Sequence, residues 1–271
     1  YEESMALLEE AGIKIPGGKR TLLVPARNFP VEVLFLRDDD IPESVASGVA
    51  DVGIVGLNEV MEKRCPVGIL KKLGFGKCRL SLAIPQDIDY QDRNWFSGKK
   101  IATSYPGILS DYLHKNGTVS DIHVITGSVE IAPGIRLADA IFDIVSSGST
   151  LVSNRLKEVE TVVESEAVLI GTDSISPEKR GILDELLFRF DSVQAADDKK
   201  YILMNVPQKK LNDVLSVLPG IKSPTVMPLA DKEWCSVHTV LDEKCFWEII
   251  NRLKTAGAEG ILVLDIEKMI L

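Results

Sequence analysis

The carboxylates Glu130 and Asp143 and a run of small hydroxyl residues share one stretch of this chain, Glu130 to Leu151 (EIAPGIRLADAIFDIVSSGSTL). Ser146, Ser147, Gly148, Ser149 and Thr150 can turn several backbone N–H groups inward with hydroxyls beside them. That arrangement holds a phosphate without a lysine. Glu130 and Asp143, on the same stretch, could take the hydroxyls of a sugar attached to such a phosphate. The same Ser/Gly run also reads as a turn that ends a helix, because both residue types punctuate loops. The residues alone leave both readings open.

Other chemistries find little support. The three histidines, His114, His123 and His238, come without a serine elbow, so triad hydrolysis is not indicated. His114 follows a helical apolar pattern and His123 alternates along a strand, which suits structural roles. There is no H-E-x-x-H and no cysteine-rich metal cluster. Gly74-Phe75-Gly76 lacks a following helix with a third glycine, and no Walker loop is present. Cys65, Cys78, Cys235 and Cys245 have no metal-ligand spacing and suggest no disulfide framework, so a reducing cytoplasm is expected. A net charge of −9 argues against nucleic acid, since no Lys/Arg stripe is available to neutralise a phosphate backbone. No apolar run is long enough to span a membrane.

The carboxylates and the loop need elements to carry them. Ile122, Val124, Val129 and Ile131 predict a strand reaching Glu130. Ala138, Ile141, Phe142 and Val145 predict the buried side of a short amphipathic helix bearing Asp143. Further out, 271 residues, 45% of them apolar, suffice for about two ordinary domains. Tyr1 to Ala11 reads as a helix stopped at Gly12. Thr21 to Val24 and Val31 to Leu36 read as strands, and Asp51 to Gly56 as a strand buried on both faces. Strand–helix alternation predicts mostly parallel sheets in two α/β lobes with a cleft between them. Ser176 is expected to cap a helix from Pro177 to Phe190, with Pro177 in its first turn, packing back on the first lobe. From Tyr201 on, the order βαββαβ is that of a ferredoxin-like unit.

Glu130, Ala138, Asp143, Ser147, Gly148, Thr150 and Leu151 together resemble the signature of the ATP phosphoribosyltransferase family. Arg37 to Pro42 (RDDDIP), Asp51 to Gly56, Cys78 to Ala83 (CRLSLA) and Ile101 to Pro106 (IATSYP) resemble family blocks in the family's order. The tail through Gly260 to Leu264 resembles the regulatory domain of its long form. One position departs, since Arg136 stands where the family usually has glycine. The family also opens with a strand and a Lys-Gly-Arg-type loop that this sequence lacks, so a segment upstream of Tyr1 is expected.

The resemblance implies a periplasmic-binding-protein-like, two-lobed catalytic region followed by an ACT-like domain. Residues 1–92 and 171–195 would form lobe I, 93–170 lobe II, and 196–271 the regulatory domain. It implies attack of ATP adenine N1 on phosphoribosyl pyrophosphate, with Mg2+ bridging the pyrophosphate; no residue is assigned as a metal ligand. Glu130 and Asp143 would hold the ribose hydroxyls, and Ser146 to Leu151 the 5′-phosphate. Arg37 and Tyr105 are candidates for the ATP side, although Arg37 equally suits a surface salt bridge with its own aspartates. Histidine would bind as inhibitor through Asn205, Ile221, Thr225, Val240 and Gly260, although Ile221 and Val240 also suit core packing. A cytoplasmic homo-oligomer, dimer or hexamer, is implied. Two other readings stay open: a two-lobed small-molecule sensor, and a catalytically inactive regulatory paralogue.

Overall fold

The computed structural model describes residues 1–17, 22–219 and 224–270. The chain divides into two compact units, Tyr1–Met5 with Lys14–Ile182, and Ala6–Ile13 with Leu183–Leu271. Helix α1 (Glu2–Glu10) contributes to both. Strands β1 (Leu23–Pro25) and β2 (Glu32–Leu34) form an antiparallel ribbon; the expected strand start at Thr21 lies outside the described residues.

The rest of the first unit is two sheets. Helix α2 (Ile41–Ala46) leads into β3 (Val52–Gly56), α3 (Leu57–Lys63) and β4 (Gly68–Lys72). The chain then crosses to a second sheet through β5 (Cys78–Pro85), β6 (Lys100–Thr103), α4 (Pro106–Lys115), β7 (Asp121–Val124), β8 (Ala140–Val145), α5 (Ser149–Ser153) and β9 (Leu156–Ser165). It returns to the first sheet as β10 (Ala167–Gly171). The strand orders are β3-β10-β4 and β7-β6-β8-β5-β9. At the crossing the two passes hold each other, Leu73 N–H donating to Ala167 (2.9 Å) and Ala167 N–H to Phe75 (2.9 Å).

This topology is the expected mixed α/β, two-lobed arrangement, with three corrections. Cys78–Pro85 belongs to the second sheet rather than to lobe I, and residues 167–170 to the first sheet rather than to lobe II, because each pairs after the crossing and not before it. Most pairings are antiparallel; among the described residues only β6 with β7 and β6 with β8 run parallel. Ala140–Val145 is a strand, not a helix, and Val129–Ile131 a single 3-10 turn, not a strand end. The run AIFDIV is buried against a core on each side of the sheet, with Ile141 and Val145 on one and Phe142 on the other. Two-sided burial favours a central strand over an amphipathic helix.

Helix α6 (Pro177–Ala196) starts as expected, Ser176 Oγ accepting from the Lys179 amide (3.3 Å). From Leu183 it belongs to the second unit rather than to lobe I. There Arg189 donates to the Ala11 carbonyl (3.3 Å), and the Met269 amide to Ser192 (2.8 Å). The remaining elements are β11 (Lys199–Pro207), α7 (Leu211–Val217), β12 (Thr225–Pro228), β13 (Trp234–Asp242), α8 (Glu243–Ala256) and β14 (Glu259–Asp265). This is the expected βαββαβ order, in an antiparallel sheet β12-β13-β11-β14. Ile202, Met204, Val206, Cys235 and Val237 alternate onto the face covered by Val214, Phe246, Ile249 and Leu253 of the two helices.

Candidate active site

Strands β6, β7 and β8 are parallel, so their carboxyl ends open onto one edge of the sheet, where ligands of α/β folds bind. Three connections lie there: Ser104–Tyr105 into α4, the turn carrying Glu130, and Ser146–Gly148 into α5. Val129 and Ala132 flank Glu130, and Val145 and Leu151 bracket the Ser/Gly loop. All four enter one apolar cluster with Ile141 and Leu156. A shared core therefore fixes Glu130 and the loop with respect to each other. Leu151 serves the loop as this anchor, its side chain being buried.

Asp143 lies in β8 opposite Ser81 of β5, and its Oδ1 accepts the Ile144 amide (2.8 Å). Burial pushes its carboxyl above the ordinary range; the Ile144 N–H opposes this, and the charge of Glu130 adds to it. The two sequence-predicted carboxylates are thus near enough for the charge of one to act on the other. In the loop, Gly148 takes φ +79°, a left-handed conformation that glycine adopts without strain. Ser147 and Ser149 hydroxyls bond each other (2.9 Å), and Asn154 holds the Thr150 carbonyl (2.9 Å). The amides of Ser147, Gly148 and Thr150 have no acceptor among the described residues. These exposed donors and hydroxyls are what an oxyanion needs.

Arg136 also takes a left-handed φ, +60°. Glycine is the economical residue there, which accounts for the position where this chain departs from its resemblance. Arg37 is largely exposed and pairs with Asp39 (3.2 Å), the surface salt bridge weighed above. Tyr105 is buried, and its hydroxyl donates to Glu59 (2.9 Å) beside Asn58 (3.3 Å). Burial first, then the Glu59 charge, pushes its phenol far up. Tyr105 therefore ties the second sheet to α3 and presents no free hydroxyl to a nucleotide. The N-terminus of α4 is filled as well, Gly107 and Ile108 amides donating to Glu62 (2.8 and 2.9 Å).

Several polar residues carry this geometry without having been singled out by sequence. Arg79 donates to both oxygens of Glu158 (2.6 and 2.5 Å) and to the Ser146 carbonyl (3.2 Å). Ser81 and Thr161 hydroxyls donate to the same Glu158 (2.7 and 3.1 Å). Asn58 exchanges bonds with Ser165 (3.0 and 2.8 Å). The available signal was polar side chains interrupting apolar runs, as Arg79 and Ser81 do in CRLSLAIP.

In the second unit, Asn205, Thr225, Val240 and Gly260 sit on β11, β12, β13 and β14; Ile221 lies outside the described residues. The register pairs Thr225 with His238, Asn205 with Ser236 and Val240 with Tyr201. These positions alternate to the face away from α7 and α8. Thr225 and Gly260 are on opposite edge strands, roughly 14 Å apart at ordinary strand spacing, so the set is spread over the face instead of lining one pocket. The Gly260 backbone, at φ +55°, comes close enough that a Cβ there would stand 3.4 Å from the side-chain Nδ2 of Asn205.

Comparison with known proteins adds to this geometry. Residues 37–192 match the family described as ATP phosphoribosyltransferase, and residues 196–268 that described as HisG, C-terminal domain. An ATP phosphoribosyltransferase of Bacteroides fragilis is 70% identical over all of this chain and 96% of its own length. That of Cytophaga hutchinsonii is 57% identical over 99% of this chain and 94% of its own. Among solved structures, an ATP phosphoribosyl transferase (HisG:HisZ) complex from Thermotoga maritima aligns with TM-score 0.60 and 25% identity. It covers 70% of this chain and 92% of the other.

Proposed function

Since this chain belongs to the ATP phosphoribosyltransferase family, long form, we propose that Glu130, Asp143 and the Ser146–Thr150 loop hold phosphoribosyl pyrophosphate while its anomeric carbon is attacked. The reaction joins adenine N1 of ATP to that carbon and releases pyrophosphate, giving phosphoribosyl-ATP, the first step of histidine biosynthesis. One observation carries the residue assignment: both carboxylates and the unpaired loop amides sit at the common carboxyl end of β6, β7 and β8.

The transition state resembles an oxocarbenium ion, so positioning and electrostatics dominate over proton transfer. Glu130 and Asp143 accept hydrogen bonds from the ribose hydroxyls and place negative charge beside the cationic ring. Loop amides, with Ser147 and Thr150 hydroxyls, hold the 5′-phosphate. The family requires a divalent metal. No group of three or more His, Cys, Asp or Glu side chains among the described residues could hold one alone. The chemistry of Glu130 and Asp143 nevertheless suits a hard cation shared with substrate, to which their carboxylate oxygens would contribute and pyrophosphate and water would supply the remaining ligands. Mg2+ bound there would neutralise charge on the departing pyrophosphate.

Residues 196–271 act in this reading as a regulatory domain that binds histidine on the open face of its sheet, within a cytoplasmic homo-oligomer. The match to the family's C-terminal domain and the placement of Asn205, Thr225, Val240 and Gly260 on that face support it. No helix among the described residues is long and apolar enough to cross a membrane. The test is absorbance-detected phosphoribosyl-ATP formation with Mg2+ and pyrophosphatase, histidine being added midway. Thr225→Ala should relieve the inhibition without changing uninhibited turnover; an unchanged inhibition curve removes Thr225 from the histidine contacts. Absence of inhibition in the parent protein rejects the regulatory role altogether.

A further inference from the structure

We propose that Arg79 and Glu158 are positioning residues that set the direction of the phosphate-holding loop, acting through the carbonyl of Ser146. This rests on the assignment of that loop to the 5′-phosphate. Arg79 lies directly across from Val145, the last residue of β8, so its guanidinium stands where the strand gives way to the loop. Nε and one terminal nitrogen grip the two oxygens of Glu158 (2.6 and 2.5 Å), and the other terminal nitrogen holds Ser146 O (3.2 Å). A planar guanidinium clamped at two points has little freedom at the third. Glu158 is itself fixed by Ser81, which is fully buried, and by Thr161.

The consequence for the loop follows from peptide geometry. In a trans peptide unit the C=O and the following N–H point in opposite directions. Drawing the Ser146 carbonyl toward Arg79 turns the Ser147 N–H the other way, away from the guanidinium. That amide is one of those without an acceptor, next to the left-handed Gly148. The charge of Arg79 is meanwhile matched by Glu158, so its contribution to phosphate affinity is directional.

The experiment is steady-state kinetics on the full chain for Glu158→Gln, Arg79→Lys and, as a control on the loop assignment, Thr150→Ala. The expected result is a KM for phosphoribosyl pyrophosphate raised about tenfold in Glu158→Gln and Arg79→Lys, with the KM for ATP unchanged. Partial loss of folding lowers apparent kcat and leaves both KM values where they were, so it cannot imitate this split. If Arg79 touched the phosphate directly, Glu158→Gln would free its charge and lower that KM. A lowered or unchanged value, alongside a raised KM in Thr150→Ala, overturns the inference and leaves the loop assignment standing. Thr150→Ala without effect removes the assignment, and the inference with it.

Discussion

Replacing Tyr105 with Phe separates a structural role for this residue from a nucleotide-binding one. The ring lies in the core of the second sheet, so Phe keeps the packing and removes only the hydroxyl. That hydroxyl donates to Glu59 (2.9 Å) and lies 3.3 Å from Asn58. A hydrogen bond to a charged, buried acceptor contributes about 1.5–3 kcal/mol. For a unit of this size, that loss lowers the thermal midpoint by roughly 3–10 °C. The pH dependence has a definite sign. Burial raises Glu59 above its usual 4.5, whereas the Tyr105 bond lowers it. A carboxyl raised on folding favours the folded state fully below its unfolded value and loses that contribution as pH rises through the folded one. Removing the hydroxyl raises it further, so the Tyr105→Phe penalty should be larger at pH 8 than at pH 5. Glu59→Gln, which has no charge to bury, should abolish the difference. Differential scanning fluorimetry at the two pH values reads both effects, and the ATP KM should stay constant. A midpoint unmoved by Tyr105→Phe, with the ATP KM raised severalfold, would refute the structural reading and restore the tyrosine to the ATP side.

Three further outcomes are expected. Asp143→Asn should lower kcat by about 10²–10³ while leaving the thermal midpoint in place, as loss of one preorganised electrostatic partner predicts; parent-like turnover would remove Asp143 from the site. Arg136→Gly should be more stable than Arg136→Ala by about 1 kcal/mol in urea unfolding, because only glycine accepts a φ of +60° freely. Hydrogen bonding from Arg79 holds the Glu158 carboxyl down at about 2, from an ordinary 4.5. Its stabilisation is therefore present above pH 4.5 and disappears as pH falls toward 2. With solvent screening of the partly exposed pair discounted, about 1–2 kcal/mol should be lost over that window, and Glu158→Gln should lack this acid step.

Much of the fold was legible because local patterns agreed with it. The βαββαβ tail could be read from alternating strands such as Tyr201–Val206 and from turn residues between elements. The Ser176 cap could be read from residue type and position, whereas residue type alone left the Ser146–Thr150 run open between a turn and a phosphate loop. What escaped was set by long-range pairing. AIFDIV is apolar enough for a short helix or a central strand, and only its neighbours β6 and β5 decide. The crossing between sheets falls at Leu73 and Glu166; Gly74 and Gly76, both at positive φ, break the first pass, but no local residue says which sheet the chain joins next. Tyr105 sits in a block that resembles the family's, yet its direction into the core depends on Glu59 of a helix in the other lobe.

The clamp on the Ser146–Thr150 loop also has a consequence for how the molecule comes to be folded. Arg79 and Glu158 are 79 positions apart in sequence, and Arg79 and Ser146 are 67 apart. Closing a chain segment of that length costs about 4 kcal/mol of loop entropy before any contact within it is gained. Non-local strand pairings of this kind form slowly. During refolding, far-UV circular dichroism should therefore recover before affinity for phosphoribosyl pyrophosphate does. The interval between the two belongs to the joining of β5 with β8 and β9, so the binding loop is among the last parts of its lobe to acquire shape.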